Sequence, residues 1–241
     1  MTAVTATSDA VTVTTLDAVT LVTIDDGKAN ALNHEVIDAL RQALRDAEAR
    51  GGALVIAGRP GRFSAGFDLS IMTAGPDAAM PLLQAGADLA IEVFLSKVPV
   101  VLGVTGHALA MGAILLMAAD VRIGTEGAFK VGMNEVGIGM PVPRFATELA
   151  RDRLSKLHFV PAIQHARVYD PVGAIDAGYL DAVVGEGEAI DAAVAHATEL
   201  AGYLRPGAFQ LTRTIVRGPT AEVLRAGIAA DMAEAGFGNP E

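Results

Sequence analysis

The chain has no cysteine and no tryptophan, and its aromatic content is thin, with eight phenylalanines and three tyrosines in 241 residues. Without cysteine there is no disulfide framework, no thiolate nucleophile and no cysteine metal site. That fits a reducing compartment, and the cytoplasm is the expectation. Basic residues are also outnumbered: 18 Lys and Arg against 28 Asp and Glu give a net charge of −10. A chain of that sign repels nucleic-acid backbones and anionic lipid surfaces, so neither partner is expected. The five histidines never fall at ligand spacing, so no metal is expected either. The opening MTAVTATSDA lacks a basic stretch followed by an apolar one, and reads as a flexible tail over residues 1–10 rather than a secretion signal.

What the chain does have is aliphatic mass. Hydrophobic residues make up 51% of it, enough for one substantial α/β core. The rest is organised around Val98–Asp120, VPVVLGVTGHALAMGAILLMAAD. Its uncharged length invites comparison with a membrane span, but Pro99, Gly103, Gly106, His107 and Gly112 argue against one continuous helix. Read locally, Val98–Val104 is a buried strand, Thr105–Ala110 a turn and Met111–Ala119 a helix. The first N–H groups of such a helix lack intrahelical acceptors and carry the positive end of its dipole, which suits a developing negative charge.

Upstream, Val11–Thr15 and Ala18–Ile24 form a hairpin pattern, and apolar residues recur at helical spacing from Val36 to Ala47 behind Asn33 as N-cap. Gly51 and Gly52 end that helix, and Ala53–Ala57 reads as a buried strand reached by a parallel crossover. Gly58–Leu69 is then a glycine-punctuated loop at a strand's carboxyl end, where open α/β sheets place their sites; residues 74–88 predict a broken helix. Two strand-to-helix loops can thus aim backbone donors at one atom. Beyond Asp120 come short strands at Val121–Ile123 and Ala128–Val131, an irregular loop over Gly132–Pro143, and helices at 144–151, 153–162, 171–178, 187–204, 206–217 and 220–235. The division expected is a core over 11–200 and a helical region over 201–241.

Four segments, Lys28–Leu32 (KANAL), Phe63–Leu69 (FSAGFDL), Gly106–Gly112 (GHALAMG) and Gly132–Pro141 (GMNEVGIGMP), occur in the order and spacing of the crotonase superfamily, the enoyl-CoA hydratase/isomerase family. The resemblance runs from about residue 11 to the end. It implies a crotonase fold of the α/β class, repeated ββα units with a C-terminal helical trimerisation region, assembled as a homotrimer or a dimer of trimers. It implies an acyl-CoA substrate, with coenzyme A part of that substrate and no further cofactor. The backbone N–H groups of Ala65 and Met111 map onto the pair that stabilises the thioester enolate oxygen, and Lys28, Ala29, Ser64, Gly66, Asp68, Leu69 and Gly112 fall along the substrate site.

Glu135 occupies the later of the two glutamate positions that hydratases of this family carry, while Ile114 stands at the earlier one. Flanked by Met133, Val136, Ile138 and Met140, Glu135 is expected in apolar surroundings that raise its pKa. One carboxylate suffices to move a proton from one carbon of a dienolate to another, and Gly132-Met-Asn-Glu135 resembles the corresponding run of Δ3,Δ2-enoyl-CoA isomerases. The expected reaction is therefore a shift of a double bond from 3-enoyl-CoA to 2-enoyl-CoA. The alternatives are a hydratase-type lyase and a silent acyl-CoA-binding subunit. Considered by their own chemistry, Ser64 has no identifiable His/Asp partner and reads as structural, and Asp68 reads as a helix cap. Lys28, Arg59, Arg62 and Arg213 are candidates for the phosphates of coenzyme A.

Overall fold

The computed structural model describes residues 3–234. A seven-stranded sheet in the order β1-β2-β3-β5-β8-β10-β12 forms its spine. These strands are β1 (Ala3–Ser8), β2 (Val11–Leu16), β3 (Val19–Ile24), β5 (Ala53–Gly58), β8 (Val100–Val104), β10 (Val121–Thr125) and β12 (Ala182–Val184). The first three form an antiparallel meander, and from β3 onward every neighbour is parallel. The fully buried β5 and β8 are continuous apolar runs, as strands covered on both faces must be.

The parallel strands β3, β5, β8 and β10 each hand the chain to a shorter strand before a helix follows. The short strands are β4 (Ala31–Leu32), β6 (Gly61–Ser64), β7 (Gly66–Phe67), β9 (Gly106–Leu109) and β11 (Val131–Gly132), paired as β11-β9-β6 and β4-β7. The helices are α1 (His34–Arg50), α2 (Leu69–Met72), α3 (Pro76–Phe94), α4 (Met111–Ala118) and α5 (Arg144–Arg153), then α6 (Lys156–Ile163), α7 (Pro171–Ala177), α8 (Ala189–Tyr203) and α9 (Pro206–Ala233). The recurring order of long strand, short strand and helix is the repeated ββα architecture. One face of the spine is covered by α8, whose Ala193 and Ala197 meet Val19, Val55 and Val101. On the other face lies the main core, which includes Ala221, Leu224 and Ile228 of α9.

The helix over Val36–Ala47 forms as its periodicity requires, with Asn33 Oδ1 accepting from the Val36 N–H at 2.9 Å, a cap worth about 1 kcal/mol. Several expectations need correction. Ala3–Ser8 is not a frayed tail: it pairs antiparallel with β2 as an edge strand, while residues 1 and 2 lie outside the described range. Two helices run through prolines that the sequence suggests would break them. Pro81 lies in an early turn of α3, and Pro219 within α9, which merges the two C-terminal helices expected from the sequence. Gly86 proves to be a packing residue, because a Cβ there would collide with the Phe67 ring. The chain after residue 144 is not all helical, since β12 closes the sheet against β10. The long apolar run divides into β8, β9 and α4, and no helix among the described residues is long and apolar enough to cross a membrane.

Candidate active site

Two glycines weld the loops that carry FSAG and GHALAMG. A Cβ on Gly66, whose φ is +98°, would lie 2.7 Å from the Ala110 Cβ and 3.1 Å from the Met111 nitrogen. A Cβ on Gly112 would lie 2.6 Å from the Ser64 carbonyl oxygen. Only residues without side chains allow the strand end at Ser64–Gly66 and the start of α4 to touch. Ser64 completes the weld: fully buried, its hydroxyl donates to the Asn30 carbonyl at 2.8 Å and accepts from the Gly66 N–H at 3.1 Å. Its role here is structural.

Asn30 is a residue whose importance sequence reasoning missed. It is buried at φ +54°, and its amide nitrogen donates to the carbonyls of Ile24, Arg62 and Phe63, tying the Lys28–Leu32 segment to the FSAG loop. An asparagine between two alanines after an Asp-Asp-Gly turn was the available signal, since Asn tolerates the left-handed region.

At the start of α4 the backbone turns through Ala110 at φ +50°, ψ −124°, an unusual conformation for a residue with a Cβ. Ile114 N–H is the first to find a helical acceptor, the Ala110 carbonyl at 3.0 Å, so Met111 N–H has none within the helix. The Met111 side chain is fully buried and reaches toward Gly86 of α3, away from any polar chemistry. The other donor expected from the sequence is differently placed. Ala65 is exposed at the cavity wall, but its N–H donates to the Ala29 carbonyl at 3.0 Å. In this structure it is therefore engaged.

A cavity of about 170 Å³ opens between these loops, and its walls bring together Ala65, Phe67, Leu69, Leu83, Ile114 and Glu135 among others. It is overwhelmingly apolar, and its rim residues Leu69 and Ile138 are more than half exposed. Ile114, at 1% exposure, presents a hydrocarbon wall from α4. Glu135, at 7%, is the single acid in the lining; its Oε2 is buried without a hydrogen-bond partner. Burial pushes its carboxyl up to about 7, against a smaller opposing influence of its own backbone. The apolar surroundings come from Leu69, Met72, Leu83 and Ile114 of α2, α3 and α4 and equally from the loop's own Ile138, Met140, Pro141 and Pro143; Met133 is fully buried, whereas Val136 is exposed and outside the lining.

The remaining candidates separate. Gly66 and Gly112 position backbone, Ala29 accepts from Ala65, and the exposed Lys28 precedes it in the chain. Asp68 caps α2, accepting from Ser70 N–H at 2.9 Å and its hydroxyl at 2.6 Å. Arg59 binds the Lys28 carbonyl with its Nε at 3.0 Å, and Arg62 Nη1 the Gly61 carbonyl at 3.0 Å. Arg213 is removed from the phosphate candidates: it is buried, with one nitrogen donating to the Ser96 carbonyl and another 2.6 Å from each carboxylate oxygen of Asp120. Among the described residues no three His, Asp or Glu side chains gather as metal ligands would.

Residues 14–235 match the family described as enoyl-CoA hydratase/isomerase. A solved enoyl-CoA hydratase/isomerase family protein of Pseudomonas syringae superposes with a TM-score of 0.92 at 39% identity, over 95% of this chain and 100% of that one. A protein of Mycobacterium tuberculosis, described in one structure as an enoyl-CoA isomerase and in another as a probable enoyl-CoA hydratase, gives 0.89 at 36%, over 94% of this chain and 99% and 96% of those two. Human mitochondrial enoyl-CoA delta isomerase 1 is 26% identical over 192 residues, 79% of this chain but only 63% of the human protein's length. The fold, the welded loops and these likenesses agree: the chain belongs to the enoyl-CoA hydratase/isomerase family, within the crotonase superfamily.

Proposed function

We propose that this protein is an acyl-CoA isomerase that converts 3-enoyl-CoA to 2-enoyl-CoA. The observation that carries the reading is the pairing of Glu135 with Ile114: one buried carboxylate of pKa about 7 faces a cavity whose α4 wall is hydrocarbon. Ionised, Glu135 removes a proton from the carbon next to the thioester; the electrons spread over a dienolate, and the same carboxyl returns the proton to the far carbon. Hydration asks more, because a water must be held and deprotonated while a proton is delivered to carbon. A carboxyl that titrates near neutrality is well matched to taking and returning one proton.

The thioester oxygen is held by the Met111 N–H at the positive end of α4 and by the Ala65 N–H. A preorganised donor to a forming oxyanion is typically worth about 3–4 kcal/mol. In support, the Met111 N–H has no acceptor within its helix, whereas Ala65 contributes only as its bond to the Ala29 carbonyl is shared or exchanged. Assembly as a trimer or a dimer of trimers is part of the same reading, supported by the apolar residues Leu211, Ile215 and Val216 that α9 leaves exposed.

The test is to offer both substrates to one preparation. Isomerisation of a 3-enoyl-CoA should clearly outpace hydration of a 2-enoyl-CoA. Efficient hydration would defeat the one-acid argument, and tight acyl-CoA binding with neither reaction would make the chain a silent subunit.

A further inference from the structure

The cavity wall that carries Glu135 is held at its far end by a residue of the last helix. Along this wall Glu135 comes first, followed by Ile138, Met140, Pro141 and Pro143. Its near end supports itself: Val131 and Tyr169 exchange two 2.8 Å backbone bonds, and the Glu135 carbonyl accepts from the N–H groups of Ile138 and Met140 at 3.0 and 2.9 Å. Pro141 and Pro143 have no N–H with which to continue that pattern. The far end depends on the next residue, Arg144, which opens α5.

α5 has no side-chain cap from the residue before it, which is Pro143. The cap comes from α9 instead. Asp231, fully buried, accepts from the Arg144 N–H at 2.8 Å with one carboxylate oxygen and from Arg144 Nη1 at 2.9 Å with the other, while Glu234 accepts from Nη2 at 2.6 Å. A carboxylate at a helix start meets unsatisfied N–H groups and the positive end of the dipole, and its two oxygens here fix the backbone and the side chain of one arginine together. One turn earlier on the same face of α9, Gly227 lets the two helices touch: a Cβ there would lie 3.0 Å from the Phe145 nitrogen and 3.2 Å from the Arg144 Cβ. α9 is thus fastened to the residue that ends the cavity wall, although Asp231 itself lies outside the lining.

Building on the acyl-CoA reading of the cavity, we propose that Asp231 is a positioning residue for acyl-chain specificity: through Arg144 it holds Met140, Pro141 and Pro143 as the surface along which the chain beyond the reacting carbons lies. Glu135 addresses the carbon that loses its proton, and the apolar residues after it suit hydrocarbon rather than coenzyme A. A short chain ends before that surface, and a long one runs along it. Asp231 therefore acts on the grip of long chains, at a distance from the chemistry.

The test reads binding, so that it does not depend on turnover. Saturated acyl-CoAs of graded chain length are titrated calorimetrically into the parent and into Asp231→Asn, which keeps the size and one acceptor oxygen but loses the charge that holds the guanidinium. Affinity in the parent should climb with chain length. In the variant the loss should grow with length, from little at the shortest chain to about tenfold at the longest, the effect of one charge-assisted hydrogen bond on the population of the competent wall. KM for 3-enoyl-CoA substrates should rise with the same dependence on length. A merely structural aspartate would leave the slope of affinity against chain length unaltered, which would overturn the proposal, as would a parent whose affinity ignores chain length. If Asp231→Asn does not fold, Arg144→Met at a side chain about half exposed removes the same guanidinium, and an unaltered slope there would equally overturn it. A length-dependent loss in a protein that binds acyl-CoA without isomerising 3-enoyl-CoA would uphold the role of Asp231 and reject the reaction, whereas a parent that binds no acyl-CoA would overturn both.

Discussion

The two walls of the cavity are built on opposite plans. The α4 corner is held by close packing: Gly66 against Ala110, Gly112 against Ser64, Asn30 across three carbonyls, with every side chain of the helix buried. It presents backbone N–H groups and no acid. The Gly132–Pro143 loop has a short 3₁₀ turn as its regular element and exposed apolar residues, yet it supplies the one acid in the lining. Its ends are fastened elsewhere, through Val131 to Tyr169 and through Arg144, whose N–H donates to the buried carboxylate of Asp231 at 2.8 Å. The contrast teaches a division of labour. Charge stabilisation needs donors fixed before the reaction starts, which a welded corner provides. Proton transfer between two carbons needs an acid with some latitude, which an irregular loop allows.

Giving the α4 wall the acid it lacks is the most forceful way to break this contrast. Ile114→Glu should raise hydration of a 2-enoyl-CoA by about 10²-fold or more, the usual contribution of a general acid or base. Steady-state rates with both substrates will show it; an unchanged hydration rate would mean that the difference between the walls does not set the reaction.

The loop's acid should cost stability above neutrality. A carboxyl raised from 4.5 to about 7 stays protonated in the folded chain while the unfolded chain has already lost its proton. Between those values the unfolded state binds fewer protons, so stability falls as pH rises, by about 1.4 kcal/mol per unit and about 3 kcal/mol in all. Glu135→Gln removes this dependence. Chemical denaturation at pH 8 should find the variant more stable than the parent by about that amount, with the gain shrinking toward pH 4–5.

The corner should show the smallest effect. Ala110 holds a conformation that favours glycine, so Ala110→Gly relieves strain of about 1–3 kcal/mol and returns part of it as chain entropy. A net stabilisation of about 1 kcal/mol with activity retained is expected, and thermal unfolding at fixed pH measures it.

How much of this was legible in the sequence depends on length and period. The first helix, its Asn33 cap and the buried β5 and β8 declare themselves because several turns or a full apolar run repeat one pattern. The short strands β4, β7 and β11 span two residues each, less than any periodicity can mark, and they are fixed by partners distant in the chain. Prolines at 81 and 219 read as breaks, but tertiary packing carries α3 and α9 through them. In the site, Glu135 and the two glycine loops were visible in their motifs. The hold of Ala29 on the Ala65 N–H was not, since a backbone bond between segments leaves no mark on residue identity.

The account rests on Glu135 moving the proton, and that step can be watched directly. In deuterated water the protein should exchange the α-proton of a bound 3-enoyl-CoA or its saturated analogue. In Glu135→Gln that exchange should vanish, with kcat reduced by about 10⁴-fold or more and acyl-CoA affinity largely kept. Exchange and turnover near the parental rate in the Gln variant would contradict the account and leave Glu135 a structural residue of its loop.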